Sequence, residues 1–143
     1  MRTLRSAALG LVAAIAITTP AAATQAERAD GDRPKIALRA QPAVGMSPAR
    51  IVLTAELIGG TNDFQEYYCP TVEWDWDDET RSESTSDCEP YEAGQSEIRR
   101  RFSVEHVFRR AGTYRVALRL KQRDKVVGNA GVTVTVRPSL GEF

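Results

Sequence analysis

In six short runs along this chain, apolar and polar residues alternate so that every second side chain falls on one face of an extended segment. Ile36, Leu38 and Ala40 alternate with Lys35, Ala37 and Arg39, and Ile51, Leu53, Ala55 and Leu57 with Arg50, Val52, Thr54 and Glu56. Pro42, Gly45 and Pro48 mark the turn between these two runs. Val72, Trp74 and Trp76 oppose Glu73, Asp75 and Asp77, and Phe102, Val104, His106 and Phe108 share a face. Ala111-Gly112 then turns the chain into Tyr114, Val116, Leu118 and Leu120, and Val132, Val134 and Val136 close the series. No stretch of similar length carries the apolar period of about 3.6 that marks a helix. Half-buried strands joined without helices imply an all-β protein, an antiparallel β-sandwich of about seven strands.

Composition removes several classes of function. With 42% hydrophobic residues the chain has the means to bury a core, which argues against disorder. Its 19 basic and 19 acidic side chains balance, so the basic excess that sequence-independent nucleic-acid binding needs is missing. Two cysteines and one histidine are too few for an ordinary zinc site. Neither G-x-S-x-G nor H-E-x-x-H occurs, no glycine-rich phosphate loop opens a helix, and no cofactor is expected.

Residues 1–26 read as a secretory signal: Arg2 and Arg5 start it, Ala7 to Thr18 form the apolar core, and Pro20 precedes small residues. The apolar run is too short to anchor in a bilayer, and no second one follows, so no membrane span is expected. Cleavage fits after Ala23 or after Ala26, with small residues at the positions a signal peptidase reads in both cases. The signal takes away two arginines and no acid, which leaves the mature chain slightly acidic. A secreted or periplasmic location follows, and with it oxidising conditions in which Cys69 and Cys88 are expected to form a disulfide. Residues 27–34 read as a flexible lead-in, 35–138 as the β-sandwich domain, and 139–143 as a tail.

Two segments carry a resemblance. Trp74-Asp75-Trp76-Asp77-Asp78-Glu79 resembles the W-D-F-G-D-G hairpin of the polycystic kidney disease (PKD) repeat domain. His106-Val107-Phe108 followed by Gly112-Thr113-Tyr114-Arg115-Val116 resembles that family's H-x-Y … G-x-Y-x-V signature. The similarity runs over roughly residues 36–137 and implies an immunoglobulin-like sandwich of the kind found in extracellular and exported proteins. Asp77 and Glu79 stand where the family has turn glycines, so a family-like turn requires both to take positive φ, which aspartate tolerates better than glutamate. Trp74 is expected between the sheets, and Trp76, near its strand end, either packs or is half-exposed for recognition. His106 is expected to be structural rather than catalytic.

Charge divides sharply along the chain: residues 72–98 hold ten acids and one base, and residues 99–125 hold ten bases against Glu105 and Asp124. In an immunoglobulin-like topology Glu73 and Asp75 lie beside Arg115 and Arg119, Glu56 near Arg99 and Arg101, and Arg50 near Glu105, so most of this asymmetry neutralises itself across strands. Asp75, Asp77, Asp78 and Glu79 offer the oxygen ligands that calcium prefers. They lack the spacing of a calcium loop and face arginines, so a calcium site there is the minor reading. The stretch Arg81 to Glu97 is longer than a hairpin needs, and long loops inside compact domains tend to be functional. Tyr67, Tyr68 and Tyr91 are expected to gather around the Cys69–Cys88 bridge with Glu89 and Glu92 at the rim, as an aromatic patch for a partner. The function expected is that of an exported, non-catalytic binding module whose partner is an extracellular or envelope protein or glycan. A structural or accessory spacer in an envelope assembly is the second reading, and a small glycoside-type hydrolase the third.

Overall fold

The computed structural model describes residues 31–141. The expected signal peptide, residues 27–30 of the lead-in and the last two residues of the tail lie outside the described residues. Among the described residues there are eight strands: β1 (Lys35–Gln41), β2 (Val44–Met46), β3 (Ala49–Ile58), β4 (Thr71–Asp75), β5 (Arg81–Ser84), β6 (Arg101–Phe108), β7 (Gly112–Gln122) and β8 (Lys125–Arg137). They form two sheets, in the orders β1-β3-β6 and β2-β8-β7-β4-β5. The sheets curl around one core as an immunoglobulin-like β-sandwich. All pairings are antiparallel except β2 with β8.

Period-two patterning explains the core directly. Ile51, Leu53, Ala55 and Phe108 from the first sheet and Leu118, Leu120 and Val134 from the second are fully buried, while their neighbours in sequence face outward. Burying each of these side chains except the smaller Ala55 contributes roughly 1.5–3 kcal/mol relative to leaving it in water. The cross-strand charges pair as the topology requires. Glu73 stands opposite Arg119 and receives its hydrogen bond at 2.8 Å and that of Lys121 at 3.2 Å. These two bonds, Arg119 first, hold the Glu73 carboxyl below the ordinary glutamate range. Arg50 meets Glu105 at 2.6 Å, and Glu56 meets Arg39 at 3.5 Å and Arg101 at 3.7 Å. Arg99 does not join Glu56; its guanidinium lies over the Phe102 ring.

Three segments depart from the sequence reading. The turn expected around Pro42, Gly45 and Pro48 contains β2, which leaves the first sheet and pairs with the second through three residues. The expected loop from Arg81 begins as β5, an edge strand paired with β4 although all four of its side chains are exposed. Residues 31–34, expected as part of a flexible lead-in, are docked instead. Pro34 is fully buried, and Arg33 donates to the Val127 carbonyl and to Glu66 with its guanidinium 5.2 Å from the Phe64 ring centre. A guanidinium packs flat on an aromatic ring while its rim makes hydrogen bonds, so a charged sequence need not be a loose one.

Candidate functional site

The sandwich has two ends, and the candidate residues divide between them. At one end the β4–β5 turn meets the β6–β7 turn. Asp77 and Glu79 adopt φ of 59° and 68°, the left-handed conformation that glycine takes readily. The turn is held by side chains: the Asp77 N–H donates to Asp75 Oδ1 at 3.1 Å, the Arg115 N–H donates to Asp77 Oδ2 at 2.9 Å, and Asp78 Oδ1 accepts both the N–H and the hydroxyl of Thr80. The other Asp78 oxygen meets His106 Nε2 at 2.7 Å across the gap between the sheets. Burial pulls the Asp78 carboxyl upward, but the hydrogen bonds from Thr80 and His106 outweigh it and keep the group below the ordinary aspartate range.

Aromatic rings continue this contact into the core. The His106 ring lies parallel to that of Trp76 at 4.1 Å, and Trp76 lies parallel to Trp74 at 5.5 Å. Trp76 is only 2% exposed and donates Nε1–H to Ser82 Oγ at 3.2 Å, so the packing alternative holds for it and the half-exposed one does not. Phe108 packs against His106, Trp76 and Tyr114, and the Tyr114 hydroxyl donates to the Arg110 carbonyl at 2.7 Å. A tyrosine bonded back to the chain just upstream is a known corner of immunoglobulin-like sandwiches. Gly112 opens β7 and Val116 is buried in the core, so each residue of the resemblance has a structural place.

A cleft of about 460 Å³ opens beside His106, lined also by Thr80, Arg109 and Arg110. Its chemistry is limited. The Thr80 hydroxyl is bonded to Asp78 and not to the imidazole, so no nucleophile stands on a base as a triad requires. Glycoside hydrolysis needs a carboxyl kept protonated; of the two carboxyls in the lining, Asp78 is pushed the other way and Glu79 is exposed on the turn. The weak calcium candidate is also dispersed: Asp75 pairs with Arg81 and Arg119, Asp77 and Asp78 serve the turn, and Glu79 is exposed. Among the described residues no group of three or more His, Cys, Asp or Glu is placed to hold a metal ion.

At the opposite end the chain crosses from β5 to β6 through residues 85–100. Cys69 and Cys88 are joined by a disulfide across 19 residues of sequence. Tyr68 donates its hydroxyl to the Glu89 carbonyl at 2.6 Å, Tyr91 donates to the Asp63 carbonyl at 2.8 Å, and the two rings meet edge to face at 5.4 Å. The Ile98 N–H donates to the Asn62 carbonyl at 2.8 Å, and Ile98 is buried. These ties all run to residues 62–69, so the crossover is folded onto this end of the sandwich. Tyr67 does not belong to the patch. It ends a 3₁₀ turn (Gln65–Tyr67) that rotates it into the core at 2% exposure, against Phe64 and Gly128. The aromatic patch is therefore Tyr68 and Tyr91 alone, with Glu89 and Glu92 exposed beside them.

Two residues shape these ends in ways the sequence did not assign: Asp78, expected only as a motif residue and a minor calcium ligand, and Arg100, outside the expected set. Asp78 carries the His106 contact, and the Asp-x-Thr spacing that caps a turn was its signal. Arg100 donates to Asn62 and to the carbonyls of Leu57 and Gly59, holding the end of β3; a run of three arginines gives no hint of that. The acids also sort by position. On the strands Glu56, Glu73, Asp75, Glu83 and Glu105 are ion-paired; at the tethered end Glu66 pairs with Arg33, whereas among the described residues no ion pair forms at the exposed Asp63, Asp87, Glu89, Glu92 or Glu97.

Among the described residues no helix is long and apolar enough to cross a membrane. No protein-family model matches the sequence, and no curated protein does. Among solved structures, the chain is similar to the CARDB domain of a protein from Pyrococcus furiosus, determined in complex with di-metal ions, at 11% identity over 76% of this chain and 97% of that one, with a TM-score of 0.44.

Proposed function

We propose that this chain is an exported, non-catalytic binding module of the PKD-like kind, and that it holds an extracellular or envelope partner on the tethered end of the sandwich. The reading rests on one contrast: acids on the strands are matched by arginine and lysine, while Asp87, Glu89, Glu92 and Glu97 stand unmatched on a loop fixed by a disulfide and two tyrosine hydroxyls, with Asp63 unmatched on the neighbouring β3–β4 connection. A loop ordered in advance loses less conformational freedom when it binds, so more of its contact energy is retained as affinity. An exposed acidic surface with two half-buried tyrosine rings fits a basic protein segment, with an amino sugar as the glycan counterpart.

The test introduces a benzophenone side chain at Glu92 and, separately, at Thr133 on the outer face of the other sheet, followed by irradiation in the producing cells. A discrete adduct from position 92 that weakens with Tyr91→Ala is expected. Equal adducts at both positions, or none at 92, would return the chain to a spacer role. Protein recovered outside the cytoplasm should begin at Thr24 or Glu27; recovery in the cytoplasm alone, with Met1 intact, would refute export.

A further inference from the structure

The sheet β1-β3-β6 ends in an edge that an immunoglobulin sandwich normally covers. In the constant-type arrangement the corresponding sheet has a fourth strand, between the middle of the chain and the strand equivalent to β6. Here the chain at that point is the crossover 85–100, which is drawn to the end of the sandwich by its ties to residues 62–69. No backbone hydrogen bond reaches β6 from any neighbour other than β3 among the described residues. Beside the edge, between β6 and β5, runs a groove with Val72, Trp74, Phe102 and Val104 in its floor.

The register fixes which groups face outward. The Leu57 N–H donates to the Arg100 carbonyl directly opposite it, so the hydrogen-bonded pairs of β3 and β6 are those of Ala55, Leu53 and Ile51 with Phe102, Val104 and His106. The alternate residues Arg101, Ser103 and Glu105 then direct their N–H and C=O groups away from β3, to the open side. Of these groups only the Arg101 carbonyl has a partner, the Arg99 side chain at 2.8 Å. The side chains of Arg101, Ser103 and Glu105 are all exposed on the outer face.

We propose that β6 pairs antiparallel with β6 of a second copy of this chain, about a two-fold axis through Ser103, making one six-stranded sheet across the dimer. The sequence of the strand is self-complementary about that residue. Ser103 faces Ser103, Arg101 faces Glu105 of the second copy, and Glu105 faces its Arg101, each pair exchanging both backbone bonds. Within one copy Arg101 already adjoins Glu56 at 3.7 Å and Glu105 adjoins Arg50 at 2.6 Å. The chain of ion-paired neighbours across the axis thus runs Glu56, Arg101, Glu105, Arg50 with alternating sign, Arg50 reaching Glu105 diagonally. A register displaced by two residues sets Arg101 against Ser103 or Val107 and loses this match. Edge strands that must stay unpaired commonly carry charge that repels a neighbour; on β6 the two charges attract an antiparallel twin. The pairing uses the outer edge of β6 and not Tyr68, Tyr91 or the exposed acids of the tethered end, so either proposal can fail without the other.

Sedimentation velocity of the purified protein, over a range of concentrations, is expected to show a dimer. Glu105→Arg sets like charges opposite one another at two symmetry-related places and should weaken the dimer about tenfold or more, as should Arg101→Glu. The double swap Arg101→Glu/Glu105→Arg should restore it. At the axis, Ser103→Cys brings two surface thiols within bridging range in a hydrogen-bonded antiparallel pair, and mild oxidation should link the copies efficiently. Thr133→Cys, on the other sheet, should not link. A monomer at every concentration, a dimer indifferent to both single charge reversals, or no preference for position 103 in crosslinking would each overturn the proposal.

Discussion

Removing the bridge by Cys69→Ala/Cys88→Ala isolates the thermodynamic effect of one loop closure. The bond spans 19 residues, and on the chain-entropy model the unfolded chain regains freedom worth about 3 kcal/mol. The folded side changes little, because the Tyr68 to Glu89 bond, the Tyr91 to Asp63 bond and the Ile98 to Asn62 bond all remain to hold the crossover in place. For a domain of this length the loss corresponds to a fall in Tm of roughly 10–15 °C. Urea unfolding followed by tryptophan emission is the assay, with the denatured state expected to be more expanded and the m-value unchanged or slightly higher. A double variant within about 0.5 kcal/mol of the parent would refute the closure argument. A lower m-value would move the effect from the unfolded chain to the folded one.

Asp78→Asn tests the contact between the sheets: since Thr80 and His106 hold the carboxyl below its unfolded range, its contribution is complete above about pH 4 and is lost as pH falls through the folded value. The variant should lose about 1–2 kcal/mol at pH 7 and show a shallower acid limb in urea midpoints, and an unchanged limb would sink the assignment. Gly128→Ala tests how closely Tyr67 is seated, because a Cβ there would lie 2.7 Å from the Tyr67 hydroxyl oxygen and 2.9 Å from Ile36 Cδ1. A loss of about 1–3 kcal/mol in a thermal melt is expected, and a neutral result would mean that Tyr67 is not packed as described.

Strands with one buried face were legible because alternation leaves a direct trace: the β4 and β7 faces follow from parity, and the Glu73–Arg119 pairing from parity together with an immunoglobulin-like strand order. β5 was hidden because Arg81-Ser82-Glu83-Ser84 has no apolar side to alternate with; its pairing to β4 is made by backbone, which is the same for every sequence. β2 is three residues long, below the length at which a period can be recognised. Tyr67 was misplaced for a related reason. Parity carries orientation along a strand, but a 3₁₀ turn just before Tyr68 resets it, so two adjacent tyrosines that look alike in sequence end up one in the core and one at the surface. The disulfide was readable from cysteine count and the expected export, whereas the hydroxyl bonds that share its work depend on carbonyls whose positions only the folded chain defines.

Both tryptophans of this chain belong to one stack, and that stack joins β4 of one sheet to His106 of the other. Intrinsic emission is therefore a gauge of a single seam. Any event that pries the two sheets apart at that end will change the signal early, before the rest of the fold is lost. An event at the tethered end will leave it nearly silent, and a ligand that binds there would be missed by a fluorescence screen that looks only at indole. Tyr68 and Tyr91 supply the second channel, since their rings report from the other end of the same sandwich.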